Sequence, residues 1–280
     1  LDDYEITFYD AGHILGSSII KIITEGKSIV FSGDVGNPPV PILQPTEYIS
    51  NVDYLFVEST YGGRIHETSE ERQKILQRTV LETIKNGGVL MIPAFALERT
   101  QEILYELNEL RESGQLPECP IFVDSPMAIE ATRVFGKYKN LFNKIAENRI
   151  QSGDDIFQFP GLQFTKTTQE SKSINNVPAP KVIIAGSGMC HGGRIVHHLF
   201  RYIEDPKSTV LIVGYQVAGS LGRRLFDGVK NVRIHREDKQ VRARVLAVGG
   251  YSAHADQPKL LKWIKAISGL KKIFIIHSEE

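Results

Sequence analysis

Apolar and polar residues alternate along the first third of the chain in runs short enough for strands. YEITFYD at 4–10, SIIKIIT at 18–24 and KSIVFSG at 27–33 predict three strands, with Glu25-Gly26 as the hairpin turn between the last two. VDYLFVE at 52–58 predicts a fourth, ending on a carboxylate. After residue 64 the period changes. Thr68 or Ser69 can cap a helix in which Ile75, Leu76, Val80, Leu81 and Ile84 recur at helical spacing until Gly87-Gly88 ends it.

Strand 89–92, helix 97–112, strand 120–124 and a helical stretch over 127–147 follow. After a less patterned section at 148–180 come strand 181–185, helix 193–204 and strand 209–215. Such alternation predicts a mostly parallel sheet covered by helices. VRIHREDKQVRARVLAV at 232–248 returns to antiparallel-looking strands, before helix 257–267 and strand 272–276. The pattern therefore predicts a shell, residues 1–62 and 250–280, around an α/β insert at 63–249.

A chain of 280 residues that is 41% hydrophobic and 24% charged can bury a core and keep a polar surface, which excludes disordered and collagen-like classes. VLMIPAFAL at 89–97 is too short to span a bilayer and Pro93 interrupts it, and no basic-then-apolar secretory signal opens the chain, so no membrane partner is expected. The two cysteines, Cys119 and Cys190, cannot build a disulfide framework, and a cytoplasmic protein is expected. The net charge of zero hides an asymmetry. Residues 1–180 hold 16 Lys+Arg against 25 Asp+Glu, and residues 181–280 hold 17 against 8. A basic region of this kind can attract a polyanion.

Ligand-type residues stand just beyond apolar runs. His13 in DAGHILGSS and Asp34 in FSGDVGN each follow a strand and are flanked by glycines; imidazole and carboxylate on neighbouring strand ends suit zinc. Either one, alone, also reads as a polar turn residue satisfied by backbone. His254 sits in the loop GGYSAHADQ, and His277 ends the strand KKIFIIH. Glu58 ends the strand before VESTYGG and could orient a histidine so that it donates a proton, with His254 as the partner. In the insert, GSGMCHGGR and GSLGRRL each run a Gly-rich loop into a helix, a setting whose free N–H groups suit an anion. Ser187, Gly188, Arg194 and Arg223 are phosphate-binding candidates there, and Arg99 and Tyr61 are further ones, Tyr61 either stacking on a base or packing at the domain junction. His191, His197 and His198 read as helix-surface or junction residues, and neither cysteine has metal-site spacing.

The segments DAGHILGSS, FSGDVGN, ESTYGG, PAFALERTQE, DSPMA, SGMCHGGR, GYQVAGSLGRR, YSAHADQ and IIHSE, in this order, resemble the β-CASP branch of the metallo-β-lactamase fold, which includes ribonuclease J and the nuclease of pre-mRNA 3′-end cleavage. The resemblance covers almost the whole chain. It implies an α/β fold, a partial metallo-β-lactamase αββα sandwich interrupted by a β-CASP domain with a mostly parallel sheet. It implies zinc-dependent hydrolysis of RNA, endonucleolytic or 5′-to-3′ exonucleolytic, with single-stranded RNA as partner and two zinc ions in the complete protein. Residue by residue, it makes His13 a ligand of one zinc, Asp34 a bridging carboxylate and His277 a ligand of the other, with Glu58 and His254 as the general-acid pair. A histidine at the position of His277 favours RNA over DNA. A homodimer is compatible with it.

The sequence departs from the family in lacking the HxHxDH motif that supplies four ligands upstream of the stretch where this chain starts. The expectation is a fragment whose three ligands cannot hold two tetrahedral zincs, so that this chain is weakly active or inactive and the full-length parent is the nuclease. Two other classes compete: a catalytically silent RNA-binding, architectural paralogue, and a metallohydrolase of a small ester or of DNA.

Overall fold

The computed structural model describes residues 3–277. Two compact units emerge: Leu1–His66, Asn140–Ile145 and Ser252–Glu280 form one, and Glu67–Lys139 with Ala146–Tyr251 the other.

In the first unit, the alternating runs become β1 (Glu5–Asp10), β2 (Ser18–Thr24), β3 (Lys27–Phe31) and β4 (Tyr54–Glu58). Glu25 and Gly26 make the expected hairpin, both at positive φ. In the second unit, Thr68 caps α1 (Ser69–Lys85) through a capping box with Glu71, and Gly87 at φ 66° follows its end. Then come β5 (Val89–Pro93), α2 (Arg99–Glu112), β6 (Ile121–Asp124) and α3 (Pro126–Lys137), whose cap is Ser125.

The helix expected over 127–147 is broken. After α3, a 3-10 turn at Lys139–Leu141 leads to α4 (Lys144–Gln151). The interruption has a clear cause: Asn143 Nδ2 lies 3.1 Å from the carbonyls of Val40, Pro41 and Leu43, its backbone N–H donates to Ile42, and Phe142 is buried. These contacts hold residues 140–145 in the first unit, and helical periodicity carries no trace of them.

The section at 148–180 yields β7 (Leu162–Phe164) and α5 (Thr168–Ser173), capped by Thr167. β8 (Lys181–Ala185), α6 (Arg194–Tyr202), β9 (Thr209–Ile212) and α7 (Leu221–Phe226) continue the alternation. Of the strands expected over 232–248, β10 (Asn231–Ile234) and β11 (Glu237–Gln240) are an antiparallel hairpin. β12 (Arg244–Ala247) instead joins the large sheet parallel to β9. That sheet has six strands in the order β12-β9-β5-β8-β6-β7, parallel throughout, and its central strands β5, β6, β8 and β9 are buried at every position.

The chain re-enters the first unit through α8 (Gln257–Ala266), capped by Asp256, and β13 (Lys272–Ile276). The five-stranded sheet of this unit runs β1-β2-β3-β4-β13. Its first three strands are antiparallel, but β4 pairs parallel with both β3 and β13, so the expected antiparallel character holds for half the sheet only. One face carries Ile19, Val30, Leu55 and Val57, which pack with Leu260, Trp263 and Ile267 from α8 and beyond it. The parallel pairing brings the C-terminal ends of β3, β4 and β13 to one edge, where Asp34, Glu58 and His277 follow or end them.

Candidate metal centre

The loop after β1 presents His13. Ser17 Oγ accepts from the backbone N–H of His13 at 3.1 Å and of Ile14 at 3.2 Å, and Asp10 Oδ1 accepts from Gly12 N–H at 2.7 Å. The loop after β3 presents Asp34. The two loops touch at Gly36, whose N–H donates to Ala11 at 2.8 Å; a Cβ there would stand 2.1 Å from Gly12 O, so only glycine permits the approach. Gly36 also bridges to His254, and Ala255 N–H donates to Val35 at 2.8 Å, which fixes the third loop on the second.

Asp34 uses its two oxygens in different directions. Oδ2 lies 3.6 Å from His13 Nε2, and Oδ1 lies 3.3 Å from His277 Nδ1. His277 takes φ 51° at the tip of β13, where its Nδ1 also meets Thr60 Oγ1 at 3.4 Å. Beside them, Glu58 is 2% exposed and faces His254, Oε1 to Nδ1, at 3.0 Å. The same oxygen accepts from Val35 N–H at 2.7 Å, Oε2 accepts from Thr60 N–H at 3.2 Å, and Ser32 Oγ receives the N–H of Glu58. Burial raises the Glu58 carboxyl, but the bonds from His254, Thr60 and Val35 outweigh it and leave the group below the usual carboxylate range.

The imidazoles of His13 and His254 are 4.5 Å apart, and those of His254 and His277 5.7 Å. Ligand atoms of His13, Asp34 and His254 lie within 4.8 Å of one another, as do those of Glu58, His254 and His277. All five expected residues thus share one cluster inside the first unit. The donors fit a divalent metal: imidazole nitrogen and carboxylate oxygen are zinc-type ligands. Burial, with His254 alongside, lowers the His13 imidazole to about 4, leaving it in the neutral, metal-ligating form at pH 7. His13 Nδ1 is moreover buried with no hydrogen-bond partner, a cost expected only where something else uses the ring.

Ser32, Thr60 and the Val35 amide escaped the sequence reading. For Ser32 the signal was a hydroxyl ending the apolar run SIVF; a backbone amide leaves none.

The phosphate-binding candidates are placed differently. Tyr61 lies in the first unit, 6% exposed and edge-on to His66 at 4.4 Å, so its ring is packed internally rather than offered to a base. The others lie in the second unit. Ser187 N–H is occupied by Gly192 O at 3.2 Å, and Gly188 is packed so closely that a Cβ would meet the Phe95 ring at 2.7 Å. Arg194 Nη1 donates to Asp124 Oδ1 at 2.8 Å and Thr165 O at 2.7 Å, and Nη2 to Lys166 O at 2.9 Å. Arg223 pairs with Asp227 at 3.0 Å. Arg99, expected on a solvated helix face, is 3% exposed and paired with Glu102. His198, expected at a surface or junction, is buried, with Nε2 2.7 Å from Asp124 Oδ2. Asp124 therefore meets Thr165, Ser171, Arg194 and His198 together, and although burial raises its carboxyl, the hydrogen bonds from His198, Ser171 and Thr165 outweigh it and hold the group low.

Comparisons with known proteins bear on the family of the chain. A Beta-Casp domain model matches residues 100–225, and the model of a Zn-dependent metallo-hydrolase RNA specificity domain matches residues 238–280. Ribonuclease TTHA0252 of Thermus thermophilus is 36% identical over 98% of this chain and 63% of its own length. An RNase J-like protein of Methanocaldococcus jannaschii is 35% identical over 99% of this chain and 64% of its own. Transcription termination factor FttA of Methanosarcina mazei is 32% identical over 99% and 45% respectively. The chain thus spans less than two thirds of the length of each. A crystal structure of a protein of unknown function from Enterococcus faecalis V583, at TM-score 0.52 and 14% identity, covers 99% of this chain and 59% of that one and shares the fold. With an imidazole–carboxylate cluster at the strand ends of one unit, a parallel α/β second unit and these matches along its length, the chain belongs to the β-CASP family of the metallo-β-lactamase fold.

Proposed function

We propose that the protein to which this chain belongs is a metal-dependent hydrolase of RNA phosphodiester bonds, working on single strands in the cytoplasm with two zinc ions. The observation that carries this reading is the division of Asp34, one oxygen toward His13 and one toward His277, with the Glu58–His254 pair alongside. His13, Asp34 and His277 would hold the metal, which when bound supplies the positive charge that acidifies water and neutralises phosphate oxygens. Asp34, with two oxygens facing opposite ways, is suited to span two ions.

The remaining work falls to the chain's own groups. Glu58 fixes the His254 ring through Nδ1, which directs Nε2 to the departing ribose oxygen. His254, held in place by that carboxylate, would carry a proton to that oxygen as the P–O bond breaks. His277 in the ligand set supports ribose over deoxyribose substrates, and the names of the ribonuclease relatives support the same substrate class. Three protein ligands are too few for two tetrahedral ions, so the 280-residue chain alone is expected to bind zinc weakly and turn over RNA slowly.

The test is cleavage of a labelled single-stranded RNA by the whole parent protein, zinc-loaded and chelator-treated, in wild-type and Asp34→Asn forms. Chelator-sensitive cleavage lost in D34N supports the reading. A parent protein that binds RNA but never cuts it, with or without zinc, would support the silent architectural alternative instead.

A further inference from the structure

We propose that the β10–β11 hairpin, together with Arg224, is a landing strip for the sugar-phosphate backbone of single-stranded RNA, a proposal that rests on the RNA reading above and adds a binding surface away from the metal cluster. The sequence asymmetry in charge is concentrated here: residues 223–244 hold eight Lys+Arg against three Asp+Glu. The hairpin is its own two-stranded sheet. Val232 and Ile234 sink into the core of the second unit, which by strand alternation turns Asn231 and Arg233 to solvent.

Two arginines are held against the backbone of the hairpin. Arg224 Nη2 donates to Asn231 O at 3.2 Å, laying its guanidinium over the start of β10, and Arg233 Nε donates to Arg236 O at 3.3 Å, drawing Arg233 toward the turn. The turn itself, His235 and Arg236 at φ 51° and 70°, is pinned to α6: the His235 ring stacks on His197 at 4.5 Å and lies 5.6 Å from Phe200. The strip is therefore held in shape before any ligand arrives.

Most of its cations have no ion pair, although Asp238 shares the outward face with Arg233. Asp227 is taken by Arg223 and Glu237 by Lys239, while Asp238 faces Arg233 across the ladder without an ion pair. Among the described residues, Arg224, Lys230, Arg233, Arg236 and Arg242 form no ion pair. All five are exposed. Successive outward residues of a strand are about 6.6 Å apart, of the order of the phosphate separation along an unstacked single strand, and a protein that spaces cations this way gains affinity by releasing counterions. Contacts of this kind go to phosphates and not to base edges, so they are indifferent to sequence.

The experiment is fluorescence anisotropy of the 280-residue chain with a fluorescein-labelled single-stranded uridine oligonucleotide, in EDTA to prevent cleavage, across a series of KCl concentrations. R233A/R236A is compared with wild type and with R78A/R133A, which removes the same charge from exposed positions on α1 and α3. The strip predicts roughly tenfold weaker binding at low salt for R233A/R236A and a log–log salt slope shallower by about 1.4, two single-strand contacts' worth, while R78A/R133A tracks wild type. Circular dichroism checks the fold, and R224A/K230A gives the same readout from the other end of the strip. Wild-type affinity and slope in both hairpin variants would overturn the strip and leave the RNA reading standing. A wild-type chain with no measurable RNA affinity overturns the strip and counts against RNA as the substrate.

Discussion

Glu58 and His254 are hydrogen-bonded from positions nearly two hundred residues apart, and their proposed roles predict different failures when each is replaced. His254→Ala removes the proton donor, so RNA cleavage by the parent protein should fall by a factor of about 10²–10⁴ while bound zinc per chain stays at the wild-type value. Glu58→Gln keeps an acceptor for the ring's Nδ1 but removes the carboxylate that holds it, so cleavage should fall by a smaller factor than in H254A while bound zinc per chain again stays at the wild-type value. Loss of metal together with activity in H254A would make His254 a ligand rather than a proton donor. His13, Asp34, Glu58, His254 and His277 were legible in the sequence because each stands where an apolar run or a glycine-rich loop stops, and polar chemistry has no packing reason to be there. Arg194 and Tyr61 were less legible: a Gly-rich loop before a helix, or an aromatic after a strand, looks alike in sequence whether its side chain meets a ligand or protein groups such as Asp124 and His66.

Among the elements, α1 and α2 bury charge that their periodicity did not announce. Arg72 of α1, 2% exposed, meets Glu106 of α2 at 2.9 Å, donates to Gly250 O at 3.0 Å and lies 5.0 Å from the centre of the Tyr251 ring, whose hydroxyl also bonds Glu106. Burial pushes the Glu106 carboxyl up to about 7 even though Arg72 pulls it down. A carboxyl raised on folding binds its proton more tightly in the native state, so its contribution to stability is complete below about pH 4.5 and is lost as pH rises toward 7. Urea unfolding at pH 5 and pH 8 should therefore show wild type losing on the order of 3 kcal/mol more than Glu106→Gln over that interval; equal losses would mean that Glu106 titrates normally. The broken helix at 138–143 belongs to the same scale. Its sequence has helical spacing, and only Asn143 reaching the carbonyls of a loop a hundred residues earlier defeats it, an interaction no local pattern encodes.

For the molecule as a whole, the alternation of strands and helices was enough to predict an α/β unit inserted into a strand-rich one, because a parallel sheet needs a helix for every crossover. The pairing of β4 with two parallel neighbours was not legible, since strand direction depends on which distant segment returns beside it. The first unit also shows an apolar surface that the sequence alone could not place. Phe8, Ile20, Phe31, Phe56 and Phe274 fall in one register row across all five strands, with Phe31, Phe56 and Phe274 stacked at 4.9 and 4.6 Å. Phe8 is 65% exposed and Phe274 41%. Such a patch favours association, so the 280-residue chain should sediment with a concentration-dependent mass that Phe8→Lys with Phe274→Lys shifts toward monomer; a wild-type chain monomeric at every concentration would argue that the face is inert.

The convergence of three distant chain segments on one candidate metal centre is most directly tested by calorimetric titration of zinc into the 280-residue chain, in wild-type, D34N and H277A forms. Weak but saturable binding that each substitution reduces tenfold or more is the predicted result. Zinc binding of equal strength in all three would contradict a metal centre built on Asp34 and His277.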